Sequence, residues 1–180
     1  MFSGAAQANT STALPAELSG ANLVAAGDVK IPVVNKSAKG TVVVFLSARC
    51  PCSNSHVSEL KELAEKYKDF KFVGIHSNVD EDLELSKKYF AALDLPFAVI
   101  QDDKASLADS FKALKTPHAY VLSPQGEIVF QGGITDSASG KEAHVHHLAA
   151  ALEDLQQDRK IKTAQVRTLG CVILREKNTW

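Results

Sequence analysis

The apolar run Val42, Val43, Val44, Phe45, Leu46 reads as a strand buried on both faces. Behind it the spacing changes to threes and fours, with Val57, Leu60, Leu63, Ala64 and Tyr67 on one helical face. Further along, residues 70–76 (FKFVGIH) predict a second strand. A helix follows over residues 81–93, with Asp80 as its cap and Leu95-Pro96 as its stop. A short strand is predicted at residues 97–101. Asp102 or Asp103 then starts a helix carrying Leu107, Ala108, Phe111 and Leu114. Residues 118–122 and 127–131 form two strands joined by the turn Ser123-Pro124-Gln125-Gly126, and Gly132-Gly133 breaks the second. The last helix spans residues 140–156, with the stripe Leu148, Ala151, Leu152, Leu155. Before the central strand, residues 22–26 and 31–34 predict a hairpin around Gly27-Asp28.

The order is βαβ, then an inserted αβ, then αββα. Residues 1–20 are small and polar and read as a mobile extension. They have neither the charged start nor the apolar stretch of a signal peptide. Residues 21–160 make one domain, within the size that 180 residues and 45% hydrophobic content support. Residues 161–180 are left as a tail. A formal net charge of −1 argues against a broad attraction to nucleic acid or an anionic membrane surface. No apolar run is long enough to span a membrane.

Chemistry concentrates where the central strand gives way to the helix, at Cys50-Pro51-Cys52. Proline is favoured at the first helical position, which puts Cys50 at the N-cap and Cys52 in the first turn. Unpaired backbone N–H groups and the helix dipole both favour a thiolate there. A free cysteine is only about 3% ionised at neutral pH, whereas helix N-termini can lower its pKa to roughly 3.5–7.5. Three cysteines make a poor structural framework, and the odd number suggests a reactive thiol. A bond between cysteines two apart closes a small ring, which would be strained and easily reduced.

Buried strand, cysteine at the turn, then helix is the pattern of the thioredoxin superfamily. The run FLSARCPCSNSH resembles the FWAxWCxxC region of these proteins, and most of all the redoxin branch of thiol–disulfide oxidoreductases. The resemblance covers about residues 39–155, with LPFAVIQDDKASLADSFKALKTPHAYVLSPQGEIVFQGGI typical of that branch. It implies an α/β, thioredoxin-like fold: a central mixed β-sheet flanked by helices, with an αβ insertion and a C-terminal tail. It also implies that Cys50 is the nucleophile. The family's second cysteine would fall on Ser53, whereas this chain has Cys52 one residue earlier. Thr116-Pro117 matches the family's threonine–cis-proline facing the active cysteine, where Thr116 can offer backbone groups to an extended substrate. Some redoxin-like proteins carry a glycine–cysteine tail like Gly170-Cys171. Residues 163–173 could fold back and bring Cys171 to Cys50; alternatively, Cys171 is a buried apolar cysteine in a docking tail. The apolar set Val166, Leu169, Val172, Ile173 motivates docking, and Gly170 permits a close backbone approach.

The expected activity is thiol–disulfide exchange without an organic cofactor or metal. Cys50 attacks a disulfide, Cys52 or Cys171 resolves the mixed disulfide, and Thr116 and Pro117 complete the site. Expected partners are a protein or small-molecule disulfide and a thiol reductant. The implied compartment is the periplasm or another exported location with the signal removed, with the cytoplasm as alternative. Two rivals remain. A peroxiredoxin-like peroxidase would need P-x-x-x-T-x-x-C, where this chain has Val43, Ser47 and Cys50. A Cu(I)-binding thioredoxin-fold chaperone would use two cysteines four apart and a histidine. Among the histidines, His56, His76 and His118 are candidates to stabilise a thiolate. His144 and His147 share a predicted helix face and are the weighed metal pair.

Overall fold

A computed structural model describes residues 13–176; the expected mobility of residues 1–12 lies outside the described residues. The chain opens with an antiparallel pair, β1 (Glu17–Ala21) and β2 (Asp28–Pro32). The hairpin is therefore earlier than residues 22–26 and 31–34, and β1 starts inside the stretch read as a loose extension. Its alternation is the reason: Leu18 and Ile31 turn into the core while Glu17, Ser19 and Lys30 do not. The apolar residues that suggested a strand at 22–26 make the loop instead, where Leu23 is buried and its N–H reaches the Val99 carbonyl at 2.8 Å.

The main sheet has five strands in the order β5-β4-β3-β7-β8. Its centre is β3 (Gly40–Leu46), buried at every position. The helix after it is broken into α1 (Pro51–Ser55) and α2 (Val57–Lys66). Then come β4 (Phe70–His76), parallel to β3, α3 (Leu83–Ala92), and β5 (Val99–Gln101), parallel to β4. After a 3-10 turn, α4 (Ser106–Phe111) leads to β6 (Lys115–Thr116) and β7 (His118–Leu122), the latter antiparallel to β3. β8 (Ile128–Gly132) closes the edge, α5 (His147–Gln156) packs beneath, and β9 (Cys171–Val172) lies far along the tail. Leu60, Leu63, Phe90, Leu148 and Leu152 fill one face of the sheet. Phe111, Tyr120, Leu18, Ile31 and the tail's Ile173 fill the other. This is the expected mixed sheet flanked by helices. No helix among the described residues is long and apolar enough to cross a membrane.

All four predicted helices differ from those observed. The one expected from Asp102 or Asp103 through Leu114 is a 3-10 turn followed by α4, which ends before Leu114 where Lys112 turns left-handed (φ 55°). The other three differ each for a local reason. α3 is capped by Asp82, whose carboxylate accepts the Leu85 N–H at 2.9 Å, and not by Asp80. The last helix begins at His147, because Asp136 accepts the N–H groups of His144 and Val145 (both 3.0 Å) and holds them in a loop. The site helix breaks at His56. The imidazole Nδ1 sits 2.7 Å from the Cys52 carbonyl, while the His56 N–H turns to Ser53 at 3.2 Å.

Candidate active site

The end of β3 delivers Ser47-Ala48-Arg49 to the sulfur-bearing turn. The Ser47 hydroxyl oxygen accepts the N–H groups of Arg49 (3.2 Å) and Cys50 (3.0 Å), winding the chain so that Cys50 becomes the N-cap of α1 with Pro51 behind it. Beneath this turn lies a buried polar chain that the sequence reading missed. Ser47 donates to one oxygen of Glu81. The other oxygen accepts the Ala48 N–H at 2.8 Å and is hydrogen-bonded to His76 Nε2 at 3.0 Å. His76 is in turn bonded through Nδ1 to Gln101 at 2.9 Å. Burial pushes the Glu81 carboxyl up, but the bonds from His76, Ser47 and Ala48 outweigh it and hold the acid below its ordinary value. In the sequence Glu81 opens the helix predicted over residues 81–93, beside a second acidic residue, Asp82. Only the inward turn of the loop before α3 distinguishes Glu81 from its neighbour.

Cys50 is 3% exposed and is disulfide-bonded to Cys171, with the two Cα atoms 6.0 Å apart. The tail reaches the turn by pairing twice. Around Gln165 it adds to the β8 edge, where Gln131 donates to Ala164 O (2.9 Å) and Val166 donates to Gln131 O (3.1 Å). β9 then pairs antiparallel with β6, Cys171 opposite Thr116 and Val172 opposite Lys115. Glycine is required at the closest approach, since a Cβ on Gly170 would lie 2.0 Å from the Thr116 carbonyl oxygen. Thr116-Pro117 is cis. Thr116 is fully buried, its carbonyl oxygen 3.2 Å from Cys50 Sγ. Cys52 is free and half-buried. The three sulfurs lie within 4.8 Å of one another and, once reduced, could hold a soft metal ion.

The histidines divide. His56, 1% exposed, ties the Cys52 carbonyl to Thr135 (Nε2 to Oγ1, 2.9 Å). His76 acts on the turn only through Glu81. His118 stacks on Tyr120 with ring centroids 4.4 Å apart, and burial pushes it down to about 4. It lines a concavity of about 810 Å³ between α4, β8 and the tail. His144 stands outside α5, so the pair weighed as a metal site shares no helix face. Among the described residues the cysteine trio is the one cluster of three or more metal-ligating groups.

Residues 38–128 match a family described as thioredoxin-like. The chain belongs to the thioredoxin-like family. No curated protein matches it. Among solved structures, an uncharacterized conserved protein from Geobacillus kaustophilus is 28% identical. The match covers 91% of this chain and 90% of that one, with a TM-score of 0.79. A hypothetical protein from Sinorhizobium meliloti is 24% identical, with 89% and 92% covered and a TM-score of 0.77. A secreted disulfide oxidoreductase of Mycobacterium tuberculosis shares the fold at 17% identity, with 67% and 84% covered and a TM-score of 0.52. The first two similarities extend across nearly the whole of this thioredoxin-like chain. The third covers about two thirds of it.

Proposed function

We propose that this protein is a thiol–disulfide oxidoreductase whose redox couple is Cys50 and Cys171. The observation that carries the reading is the bond between a cysteine at a strand–helix turn and a cysteine delivered by the tail, beside Thr116. In the reduced protein Cys50, as thiolate, attacks a substrate disulfide. A Cys50–substrate bond forms and the other substrate sulfur leaves as a thiolate that takes up a proton. Cys171 then attacks Cys50, the second substrate thiol leaves, and the protein is oxidised by two electrons. A thiol reductant returns it to the dithiol. Cys171 is the better-placed resolving sulfur, because residues two apart at a helix start do not face each other and Cys50–Cys52 closure is disfavoured. Thr116 and Pro117 shape the edge on which the substrate lies, and Glu81 with Ser47 positions the turn. The secreted oxidoreductase among the fold neighbours supports an exported location and a disulfide substrate.

A second reading is favoured by the sulfur trio alone: reduced, the protein would bind Cu(I) through three thiolates, replacing the histidine of a two-cysteine site. The test is kinetic. Reduced protein is mixed separately with a small-molecule disulfide and with peroxide, and Cu(I) uptake is titrated against a competing chelator. Exchange much faster than peroxide consumption, abolished by Cys50→Ser, supports the oxidoreductase. Dominant peroxide consumption, or tight Cu(I) uptake with no exchange, rejects it.

A further inference from the structure

The tail is seated in a groove that contacts it residue by residue. No side chain fits at Gly170, where a Cβ would lie 2.0 Å from Thr116 O and 2.7 Å from its carbonyl carbon. Cys171 lies opposite Thr116 with its sulfur on Cys50, and Val172, opposite Lys115, is 44% exposed. The Ile173 side chain is 1% exposed, packed in the core that includes Phe111 and Ala113, and its N–H donates to Leu114 O at 2.9 Å. On the other side, Leu174 is 41% exposed and its carbonyl accepts the Val79 N–H at 3.3 Å. Arg175 is anchored by its guanidinium, with Nε 2.6 Å from Asp109 and Nη2 2.8 Å from the Ala113 carbonyl. Main-chain pairing thus runs the length of the segment, while side chains are read at alternate positions from Cys171 onward and excluded at Gly170. Such a groove binds an extended strand by backbone and selects it by pockets.

We propose that this groove is also the substrate site, and that it selects a polypeptide segment of the form Gly-Cys-x-Ile-x-Arg, with a β-branched aliphatic accepted for Ile. This rests on the oxidoreductase reading, and it names the substrate class for the same site. The disulfide between Cys50 and Cys171 is then the internal counterpart of the mixed disulfide: same sulfur, same strand register, own tail in place of substrate. The occupant is a segment of a partner protein. The tail of a second copy is already held in its own groove at the high effective concentration of a tethered segment. In turnover the substrate cysteine, presented as a disulfide, is attacked by Cys50 while its flanking residues occupy the tail's subsites. The returning tail displaces it as Cys171 takes its place on Cys50. One new bond forms for each bond broken in each step.

The test uses the full-length Cys171→Ser protein, reduced, and synthetic peptides carrying the sequence of residues 168–176. Each peptide cysteine is capped as a mixed disulfide with thionitrobenzoate, and release of the coloured thiolate is followed. The serine tail competes equally with every peptide, so rate ratios report the groove. The matched peptide should react about a hundredfold faster than its Gly→Ala counterpart. It should also react about tenfold faster than the Ile→Ala and Arg→Ala counterparts. Rates agreeing within about twofold across the four peptides overturn the proposal. The symmetrical thionitrobenzoate disulfide is run alongside. If it reacts normally while the peptides do not differ, the specificity has failed and the oxidoreductase reading stands. If it does not react with Cys50 either, both fall.

Discussion

Replacing Gly170 by alanine should uncouple the tail from Cys50. The added Cβ would sit 2.0 Å from the Thr116 carbonyl oxygen, so the two strands must separate by about 1 Å or more to restore ordinary contact. Separation on that scale breaks the β6–β9 pairing and lifts Ile173, 1% exposed, from its seat. Losing that burial costs about 1.5–3 kcal/mol, and each lost ladder hydrogen bond adds about 1 kcal/mol. A net loss of about 3 kcal/mol lowers the equilibrium for closing the Cys50–Cys171 bond by about a hundredfold. Equilibration in glutathione buffers of graded ratio, acid quench, alkylation and mass measurement give the oxidised fraction directly. The Gly170→Ala midpoint should move by about that factor toward more oxidising buffer, while Val172→Ala, an exposed position, should stay within about twofold of wild type. A Gly170→Ala midpoint equal to that of wild type would show that the close approach at Thr116 does not hold the sulfurs together.

Other predictions concern stability. Reducing the disulfide, which spans a sequence separation of 121, should lower unfolding free energy in urea by up to about 5 kcal/mol on the chain-entropy model. Equal urea midpoints for the oxidised and reduced forms would contradict it. For His118, the unfolded chain takes up a proton near pH 6.5 and the folded protein only near 4. The stability of the neutral ring is therefore complete above about pH 6.5 and is lost as pH falls toward 4, by up to about 3 kcal/mol. His118→Gln should flatten that part of the stability–pH curve; an unchanged slope would refute the assignment. Glu81→Gln leaves His76 facing an uncharged partner and weakens the hold on Ala48. It should cost about 2 kcal/mol or more in urea unfolding and slow disulfide exchange. A variant with wild-type stability and rate would remove Glu81 from the account. The Glu81 carboxylate, held below its ordinary value, contributes stability at neutral pH that is lost progressively as pH falls from the ordinary carboxylate range through that lowered value.

The sheet was legible because its strands follow simple periodicities. β3, β4 and β7 were found from apolar runs alone, and Pro51 marked the helix start. The features that build the site depend on side chains satisfying distant backbone, which no local pattern encodes. The His56 ring ends α1 by reaching the Cys52 carbonyl, and Asp136 unwinds the expected start of α5. Glu81 looks like any acidic residue before a helix until Ser47, Ala48 and His76 are seen around it. β6 and β9 are two residues each, too short to show a period. What the sequence did show of the tail was the glycine before the cysteine and an apolar residue set with no evident reason to be in water.

The central claim is that Cys50 attacks and Cys171 resolves. It is tested most directly by a single turnover of reduced protein with one equivalent of a small-molecule disulfide, quenched by acid and mapped by peptide mass. Wild type should release both substrate thiols and carry a Cys50–Cys171 bond, while Cys171→Ser should stop with the substrate half held on Cys50. Complete turnover by Cys171→Ser, or a substrate adduct found on Cys52, would contradict the account.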